Sequence, residues 1–120
     1  VTQEQTERYA EAAGDFNPIH IDHEFAATTQ FGGTIAHGML IAAFLSEMLT
    51  HTFHEDWLES GRLKIRFKAP VLPGDQITAF GRVKSVSEKE GASQVTCAVG
   101  VRKQDGEAAI TGDATVVVSL

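Results

Sequence analysis

The chain has 120 residues, of which 42% are hydrophobic and 22% are charged, a composition typical of one globular domain. The 10 Lys and Arg residues against 16 Asp and Glu residues give a net charge of -6, which argues against non-specific nucleic-acid binding because phosphates attract positive charge. A single cysteine excludes an internal disulfide framework and a multi-thiolate metal site. The longest apolar run, residues 39–45, is much shorter than the ~20 residues of a membrane span, and no signal peptide is visible, so we expect a cytoplasmic protein without membrane contact.

The first predicted element is a helix that begins after Thr2. Thr2 and Gln5 have the spacing of a capping box, and Gly14 is the residue type that ends a helix in the left-handed conformation. The apolar side of this helix is expected to comprise Tyr9, Ala12 and Ala13. Because the chain enters the helix at once, we also expect that a preceding strand of the domain is missing.

Residues 14–33 are predicted to be loop-like, since they contain the turn-forming pairs Gly14-Asp15, Asn17-Pro18 and Gly32-Gly33. Within this stretch, Asp22 can cap a short helical turn. A second long helix is predicted from Gly38 to about Leu49. Residues 39–45 in its first half are apolar all round, so we expect this helix to be buried on every side.

Everything after residue 61 has the alternating pattern of β-strands. Four strands are predicted, at residues 63–71, 77–83, 95–101 and 110–118. Because short polar turns separate them, we expect an antiparallel meander in which consecutive strands are neighbours. The fold class is therefore α+β, one domain over residues 1–120 with the sheet wrapped around the buried helix. The uncovered sheet edge predicts a homodimer.

One loop concentrates the residues that could perform chemistry. Asp15 and His20 are five residues apart across a proline, so both can point into one cavity. A carboxylate beside an imidazole is suited to moving protons near neutral pH. Asp15 could equally cap a turn, and a lone His20 is more often a hydrogen-bonded structural residue. Cys97 lies mid-strand on the apolar face, so proton transfer with water is favoured over covalent catalysis.

Glycines and histidines near the buried helix offer further candidates. Gly38 begins the helix and could expose a backbone amide to an oxyanion, or it could be small only because packing is tight. His37, His51 and His54 show no third ligand at a telling spacing, so we expect no metal. No dinucleotide or phosphate-loop motif is present, and no cofactor is expected.

A basic stripe lies on the outward face of the first strand, formed by Arg62, Lys64, Arg66 and Lys68. It is interpreted as a solvated face. The alternative is that some of these cations meet the phosphates of a carried acyl group.

The sequence resembles the MaoC-like (R)-specific enoyl-CoA hydratases between about Tyr9 and Asp75. The resemblance is carried by Tyr9-Ala10, Gly14-Asp15-x-Asn17-Pro18-Ile19-His20-x-Asp22, Phe25-Ala26, Phe31-Gly32, Ile35-Ala36-His37-Gly38-Met39 and Phe67-Lys68-Ala69-Pro70-Val71-x-Pro73-Gly74-Asp75. The Asp-x-Asn-Pro-x-His element is specific, whereas the later strands agree in pattern only. The resemblance implies a hot-dog fold, in which a curved antiparallel sheet wraps a long helix, and a homodimer or higher oligomer with sites near the interface.

The resemblance also implies an activity. Asp15 and His20 would activate one water that adds to C3 of a trans-2-enoyl thioester, carried by CoA or by acyl carrier protein, to give an (R)-3-hydroxyacyl thioester. The N–H of Gly38 is the candidate oxyanion donor, and Asn17 would hold the loop. Some relatives carry a serine where this chain has Ala43. The candidate substrate-binding residues are Asn17, His37, Met39, Leu40 and Phe44.

Two other functions stay open for a chain of this fold. A hot-dog thioesterase would need a carboxylate on the central helix, where the first acidic residue is Glu47, beyond the apolar stretch. A non-catalytic acyl-thioester-binding subunit would not need Asp15 and His20, both of which are present.

Overall fold

A computed structural model of the chain describes residues 1–119, Lys89 by its backbone alone. Helices fill the first half and strands the second. They are α1 (Gln3–Ala13), α2 (Pro18–Ile21), α3 (His23–Ala27), α4 (Gly38–Phe53), α5 (Glu55–Ser60), β1 (Arg62–Phe67), β2 (Ile77–Lys89), β3 (Ala92–Lys103) and β4 (Ala108–Ser119). Among the described residues, no helix is long and apolar enough to cross a membrane.

The predicted boundaries of α1 are confirmed. The Thr2 hydroxyl accepts a hydrogen bond from the Gln5 N–H at 3.1 Å, and the Gln5 side chain accepts one from the Thr2 N–H at 2.8 Å. These two bonds satisfy amides that a helix start leaves unpaired. Gly14 ends α1 with a φ of 73°, which a side chain would strain.

The predicted apolar side of α1 is only partly correct. The fully buried residues are Thr6 and Ala10, whereas Ala12 and Ala13 are exposed. Small side chains at positions 6 and 10 allow the first turns to pack closely, while the last turn projects into solvent.

The loop predicted at residues 14–33 contains two short helices instead. The Asn17 side chain accepts a hydrogen bond from the Ile19 N–H at 3.1 Å and so starts α2. Asp22 caps α3 in the same way through the Phe25 N–H at 3.1 Å, as predicted. Each cap supplies the acceptor that lets a few turn-forming residues complete a helical turn.

The sheet is antiparallel, with the strand order β1-β4-β3-β2. The meander of β2, β3 and β4 is confirmed, but the predicted pairing of β1 with β2 is wrong. Instead β1 pairs with β4, Ile65 lying opposite Gly112. The physical reason lies in residues 68–76, where the Lys68 N–H bonds to the Ala109 carbonyl and two prolines prevent a ladder with β2. This segment crosses over the sheet end instead of forming a hairpin.

Helix α4 packs across one face of the sheet and forms the core with it. The buried residues of this core are Ala36, Ile41, Ala42, Leu45, Leu49, Val71, Cys97, Val99, Val101, Ala109, Ile110 and Ala114. The α4 helix also continues to Phe53, beyond the predicted end near Leu49. The predicted burial on every side is wrong for a single chain, because the sheet covers one face only. On the other face Met39 is 61% exposed and Ala43 is exposed.

Candidate active site

The two residues of the predicted pair lie on either side of the start of α2. Asp15 follows the end of α1, and its Oδ1 accepts a hydrogen bond from the Asn17 N–H at 3.2 Å. The Nδ1 of His20 lies 2.7 Å from the carbonyl oxygen of Ile35. A carbonyl can only accept, so Nδ1 carries the proton and donates it. The free nitrogen of a neutral His20 is therefore Nε2, a proton acceptor.

Asp15 and His20 are close enough to share one water. A carboxylate oxygen of Asp15, a ring nitrogen of His20 and a ring nitrogen of His37 all lie within 4.8 Å of one another. A water that bonds two groups at about 2.8 Å each holds them about 4.5 Å apart. Asp15 is exposed and His20 is half-buried, so water reaches the pair from solvent.

These three residues are also the grouping that could contribute ligands to a metal ion in the described part of the chain. His20 Nδ1 already bonds to the Ile35 carbonyl and His37 Nε2 to the Asp15 carbonyl. Two of the four ring nitrogens are therefore bonded to main-chain carbonyls.

His37 lies behind the pair and is 2% exposed. Its Nε2 lies 2.9 Å from the main-chain carbonyl oxygen of Asp15. Its ring stacks on that of His20, with 3.9 Å between the centroids and 27° between the planes. The ring of Tyr9 packs against its other side at 4.8 Å. His37 was predicted to contact substrate, and here it contacts both members of the pair.

A cavity of about 430 Å³ opens in front of the pair. It is lined by Tyr9, Ala13, Asp15, His20, His37, Gly38, Met39 and Phe67. The structure thus brings five predicted site residues to one cavity. Asn17 holds Asp15 from outside it, and Leu40 and Phe44 are half-buried on α4 without lining it. Gly38 is the first residue of α4, so its N–H has no partner within the helix and is available to a ligand.

Two more cavities adjoin this one. The first, about 270 Å³, is lined by His20, Phe31, Ile35, Ala36, Gly38, Ile41, Phe67, Lys68, Ala69, Pro70, Val71, Ala109 and Ile110. The second, about 500 Å³, follows the exposed face of α4 and is lined by Tyr9, Met39, Ala42, Ala43, Ser46, Leu63, Ile65 and Phe67. Phe67 contributes to all three cavities, and the sequence analysis did not select it. The sequence does contain an indication for Phe67, because it is the last residue of β1 that belongs to the apolar, inward-facing set of the alternation.

Gln3 is a second residue that the sequence analysis missed. Its side-chain N–H donates to the carbonyl oxygen of His20 at 3.0 Å, and its side-chain oxygen accepts from the buried Thr34 hydroxyl at 2.8 Å. Gln3 therefore ties α1 to α2. A polar residue in the first turn of a helix carries no sequence signal for such a role.

The remaining candidates lie away from the pair. Cys97 is buried in the core, and burial raises the pKa of its thiol, which disfavours the nucleophilic thiolate. His51 and His54 are exposed at the far end of α4. The four cations of the basic stripe are exposed, as expected for a solvated face, and one of them, Lys68, reaches the rim of the 270 Å³ cavity.

Comparison with known proteins now decides the family. The model of the MaoC-like domain matches residues 1–106 of this chain. The chain belongs to the MaoC-like domain family. It is 36% identical over 108 residues to the (R)-specific enoyl-CoA hydratase of Aeromonas caviae, covering 90% of this chain and 79% of that protein. It is 36% identical over 106 residues to 3-hydroxyacyl-thioester dehydratase Z of Mycobacterium tuberculosis, and the match covers 84% of this chain and 70% of that protein.

The fold of this MaoC-like chain matches solved structures as well. The solved structure of the (R)-hydratase from A. caviae involved in PHA biosynthesis superimposes with a TM-score of 0.82 at 32% identity, covering 99% of this chain and 88% of that one. The hot-dog fold that the motifs implied is therefore confirmed, with α4 as the central helix and β1 to β4 as the sheet.

Proposed function

We propose that this chain is a lyase that reversibly hydrates a trans-2-enoyl thioester to an (R)-3-hydroxyacyl thioester, with enoyl-CoA as the simplest substrate. Residues 1–120 act as one hydratase domain in this proposal. The observation that carries it is the placement of Asp15 and His20 within reach of a single water at the mouth of a cavity. The names of the A. caviae and M. tuberculosis relatives support the same reaction.

The hydrogen bonds give each member of the pair a role. The bound water donates one hydrogen bond to the Asp15 carboxylate and one to His20 Nε2, which leaves an oxygen lone pair for C3 of the substrate. As the C–O bond forms, one proton passes to the pair and is then delivered to C2 on the same face. The His20–Ile35 hydrogen bond keeps the proton of the neutral ring on Nδ1, so that Nε2 is free to accept a hydrogen bond from the water before the proton is transferred.

Negative charge develops on the thioester oxygen as C3 is attacked. In the proposal the Gly38 N–H at the start of α4 donates to this oxygen, where the partial positive charge of the helix terminus also stabilises it. The absence of a side chain on Gly38 lets the thioester come close. No electron leaves or enters the substrate during hydration, so the reaction needs no redox cofactor.

Asn17 acts on the carboxylate rather than on the substrate. Its N–H donates to Asp15 Oδ1, and its own side chain starts α2, so it links the two catalytic residues. Ala43, whose side chain has no hydroxyl, lines the cavity along α4. In this proposal the Asn17 N–H supplies the hydrogen bond to Asp15.

The substrate chain is assigned to the apolar walls around the pair. Met39 is 61% exposed at the mouth and is placed to contact the acyl group or the pantetheine arm. Leu40 and Phe44 are half-buried one turn apart on α4 and are proposed to complete the apolar wall from behind. Lys68, exposed at the rim of the second cavity, is suited to meet a phosphate of CoA or of a carrier protein.

A homodimer is proposed for the same protein. Residues 81–88 of β2 are all exposed along a sheet edge, and Val83 and Val86 are 56% and 59% exposed. The radius of gyration is 16.4 Å. A compact domain of this length is expected to have a value of about 13.6 Å. An elongated protomer with an exposed edge strand that carries two exposed valines is suited to pairing with a second copy.

The test follows the enoyl-thioester absorbance band with crotonyl-CoA. Wild-type protein is expected to remove the band, and Asp15→Asn to do so at least about 100-fold more slowly, the lower end for general acid–base catalysis. Asp22→Asn is the matched control, because an asparagine still accepts the Phe25 N–H that Asp22 binds. Wild-type rates in Asp15→Asn would remove Asp15 from the mechanism.

A second assay separates the other two functions. Saturated butyryl-CoA with a thiol reagent detects thioester cleavage, and release of CoA would establish a thioesterase. Glu47, the carboxylate such an enzyme would use, lies nine residues past Gly38 on α4, about 13.5 Å along the helix axis. Binding of acyl-CoA without loss of any enoyl band would indicate a non-catalytic subunit.

A further inference from the structure

We infer that His37 is a positioning residue that holds Asp15 and His20 in register, instead of a residue that binds substrate. The inference rests on the proposed function for its catalytic part and on the structure alone for its contacts. His37 is 2% exposed, so the substrate has almost no surface to touch. Its ring contacts both members of the pair, through a hydrogen bond to the Asp15 carbonyl and a stack on His20.

The position of His37 in the chain supports a role beyond helix formation. It occupies the residue immediately before α4, where Ser, Thr, Asp or Asn usually caps the first amides. The His37 side chain makes no such capping bond. Its ring turns back to the Asp15 loop, 22 residues earlier in the chain. It therefore ties the loop of the proposed base to the helix that carries the proposed oxyanion donor.

The unpaired nitrogen of His37 supports the same inference. Nε2 donates to a carbonyl, whereas Nδ1 is buried and has no hydrogen-bond partner among the described residues. A buried polar atom without a partner costs stability. A phenylalanine would fill the same space without that cost. The histidine is thus explained by the hydrogen bond that its Nε2 donates to Asp15, together with the stack of its ring on His20.

Two substitutions separate the donor from the ring. His37→Phe keeps an aromatic ring against His20 and removes the donor to Asp15. His37→Gln keeps an N–H at the position of Nε2 and removes the ring. His51→Gln, on the exposed end of α4, is the control for loss of a histidine. We expect His37→Phe to have a free energy of unfolding close to that of wild type, because removal of the unpaired buried Nδ1 offsets loss of the hydrogen bond to the Asp15 carbonyl.

The kinetic readout is the split between kcat and KM for enoyl-CoA hydration. His37→Phe is expected to lower kcat about tenfold or more while KM changes less than about threefold, since small misplacements of catalytic groups act on the transition state. His37→Gln is expected to recover part of kcat. A raised KM with unchanged kcat would instead make His37 a substrate-binding residue. Equal activity per folded molecule in all variants would show that His37 has a purely structural role. If kcat of His37→Gln were as low as that of His37→Phe, the hydrogen bond to Asp15 would not explain the effect.

A second readout is independent of catalysis. Asp15-Phe16 is the only Asp-Phe pair in the chain, so labelling Asp with ¹³C at the carbonyl and Phe with ¹⁵N gives one carbonyl–amide cross-peak in an NMR spectrum. The Asp15 carbonyl shift is expected to move in His37→Phe and to stay near its wild-type value in His37→Gln. An unchanged shift in His37→Phe overturns the inference. If wild type hydrates no enoyl thioester, the proposed function fails, and this spectrum alone decides whether His37 holds Asp15.

Discussion

The ring of Phe67 at the end of β1 lies against Gly38 at the start of α4. A β-carbon built on Gly38 would lie 2.8 Å from Cε1 of Phe67, closer than side chains normally approach. The same ring lines all three cavities around Asp15 and His20 and is 56% exposed. In the proposed mechanism, Gly38 and Phe67 together therefore determine how closely a thioester approaches the first amide of the helix.

Replacing Gly38 by alanine should impair turnover more than folding. The new methyl group must displace the Phe67 ring, which is mostly exposed and can move, and alanine suits a helix better than glycine. The displaced ring and the methyl group narrow the space where the thioester oxygen meets the Gly38 N–H. We expect kcat for enoyl-CoA hydration to fall about 100-fold, as for loss of an oxyanion donor, with a melting temperature close to that of wild type.

The control for this prediction is Gly33→Ala. A β-carbon built on Gly33 meets no atom within 4 Å, so this variant adds the same methyl group in open space. It should keep wild-type kcat. A Gly38→Ala enzyme that is as fast as Gly33→Ala would show that the Gly38 amide does not serve the reaction.

Replacing Phe67 by alanine should change substrate preference. The ring lines both the cavity beside His20 and the groove along α4, so its removal enlarges both spaces. We expect kcat/KM for longer enoyl-CoA substrates to rise relative to crotonyl-CoA by about tenfold, the effect of about 1.4 kcal/mol of apolar contact. The measurement compares four-, six- and eight-carbon enoyl-CoAs at limiting substrate. An unchanged ratio would place the acyl group outside both spaces.

Local features of this fold could be predicted because they depend on neighbours in sequence. The capping box of Thr2 and Gln5, the end of α1 at Gly14 and the Asp22 cap each involve residues no more than four apart. The neighbour of β1 could not be predicted in the same way. Alternation shows which side chains of a strand share a face, but it carries no information on which distant strand supplies the hydrogen bonds.

In the candidate site, too, the features that depend on neighbours in sequence could be predicted, and the contacts between distant residues could not. The spacing of Asp15 and His20, together with the resemblance, was enough to select the pair. The contacts of His37 with Asp15 and of Gln3 with His20 span 22 and 17 residues. They depend on how α1, α2 and α4 meet in space, which no local pattern encodes. Exposure of one face of α4 was also missed, since an all-apolar helix does not reveal how many chains cover it.

A charge in place of an exposed valine on the edge strand β2 should weaken the proposed dimer. Val86 is 59% exposed and lies opposite Val95, on the face of the sheet that carries the core. Burying a glutamate there without a partner costs several kcal/mol. We expect Val86→Glu to raise the dimer dissociation constant about 100-fold or more, measured by sedimentation equilibrium.

Val117→Glu provides the matched control for that measurement. Val117 is 41% exposed on β4, but its neighbour Val116 is buried, so Val117 points to the opposite face of the sheet. This variant should dimerise like wild type. A wild-type protein that stays monomeric at high concentration, or an unaffected Val86→Glu dimer, would contradict the proposed use of this edge.

The ion pair between Asp75 and Lys103 should make a pH-dependent contribution to stability. Their charged atoms are 3.0 Å apart, with the two side chains 15% and 12% exposed. Burial by itself raises the pKa of Asp75, but hydrogen bonds from Gln104 and Leu72 and the Lys103 charge outweigh it and lower the pKa below 3.8. For Lys103, burial lowers the pKa, and Asp75 outweighs it and raises the pKa above 10.5.

The sign of the pH effect follows from these directions. The Asp75 contribution is fully present above its ordinary pKa of 3.8 and disappears as the pH falls through the lower folded value. The Lys103 contribution is present below 10.5 and disappears only as the pH rises through the higher folded value. We expect Asp75→Asn to lower the free energy of unfolding by about 1–3 kcal/mol at pH 7, measured by urea denaturation, and by progressively less as the pH falls below 3.8.

Asp113→Asn tests whether burial of the ion pair is the reason that its loss destabilises the protein. Asp113 pairs with Lys84 at 3.1 Å, but the two side chains are 54% and 46% exposed, so solvent screens the charges. Its substitution should change the free energy of unfolding by less than about 1 kcal/mol at any of these pH values. Equal losses of stability in Asp75→Asn and Asp113→Asn would show that burial does not increase the contribution of the Asp75–Lys103 pair.

The same ion pair also bears on substrate binding. Lys103 donates to the Pro70 carbonyl at 3.1 Å, and Pro70 lines the cavity beside His20. Loss of the Asp75 pair should therefore raise KM for the enoyl thioester.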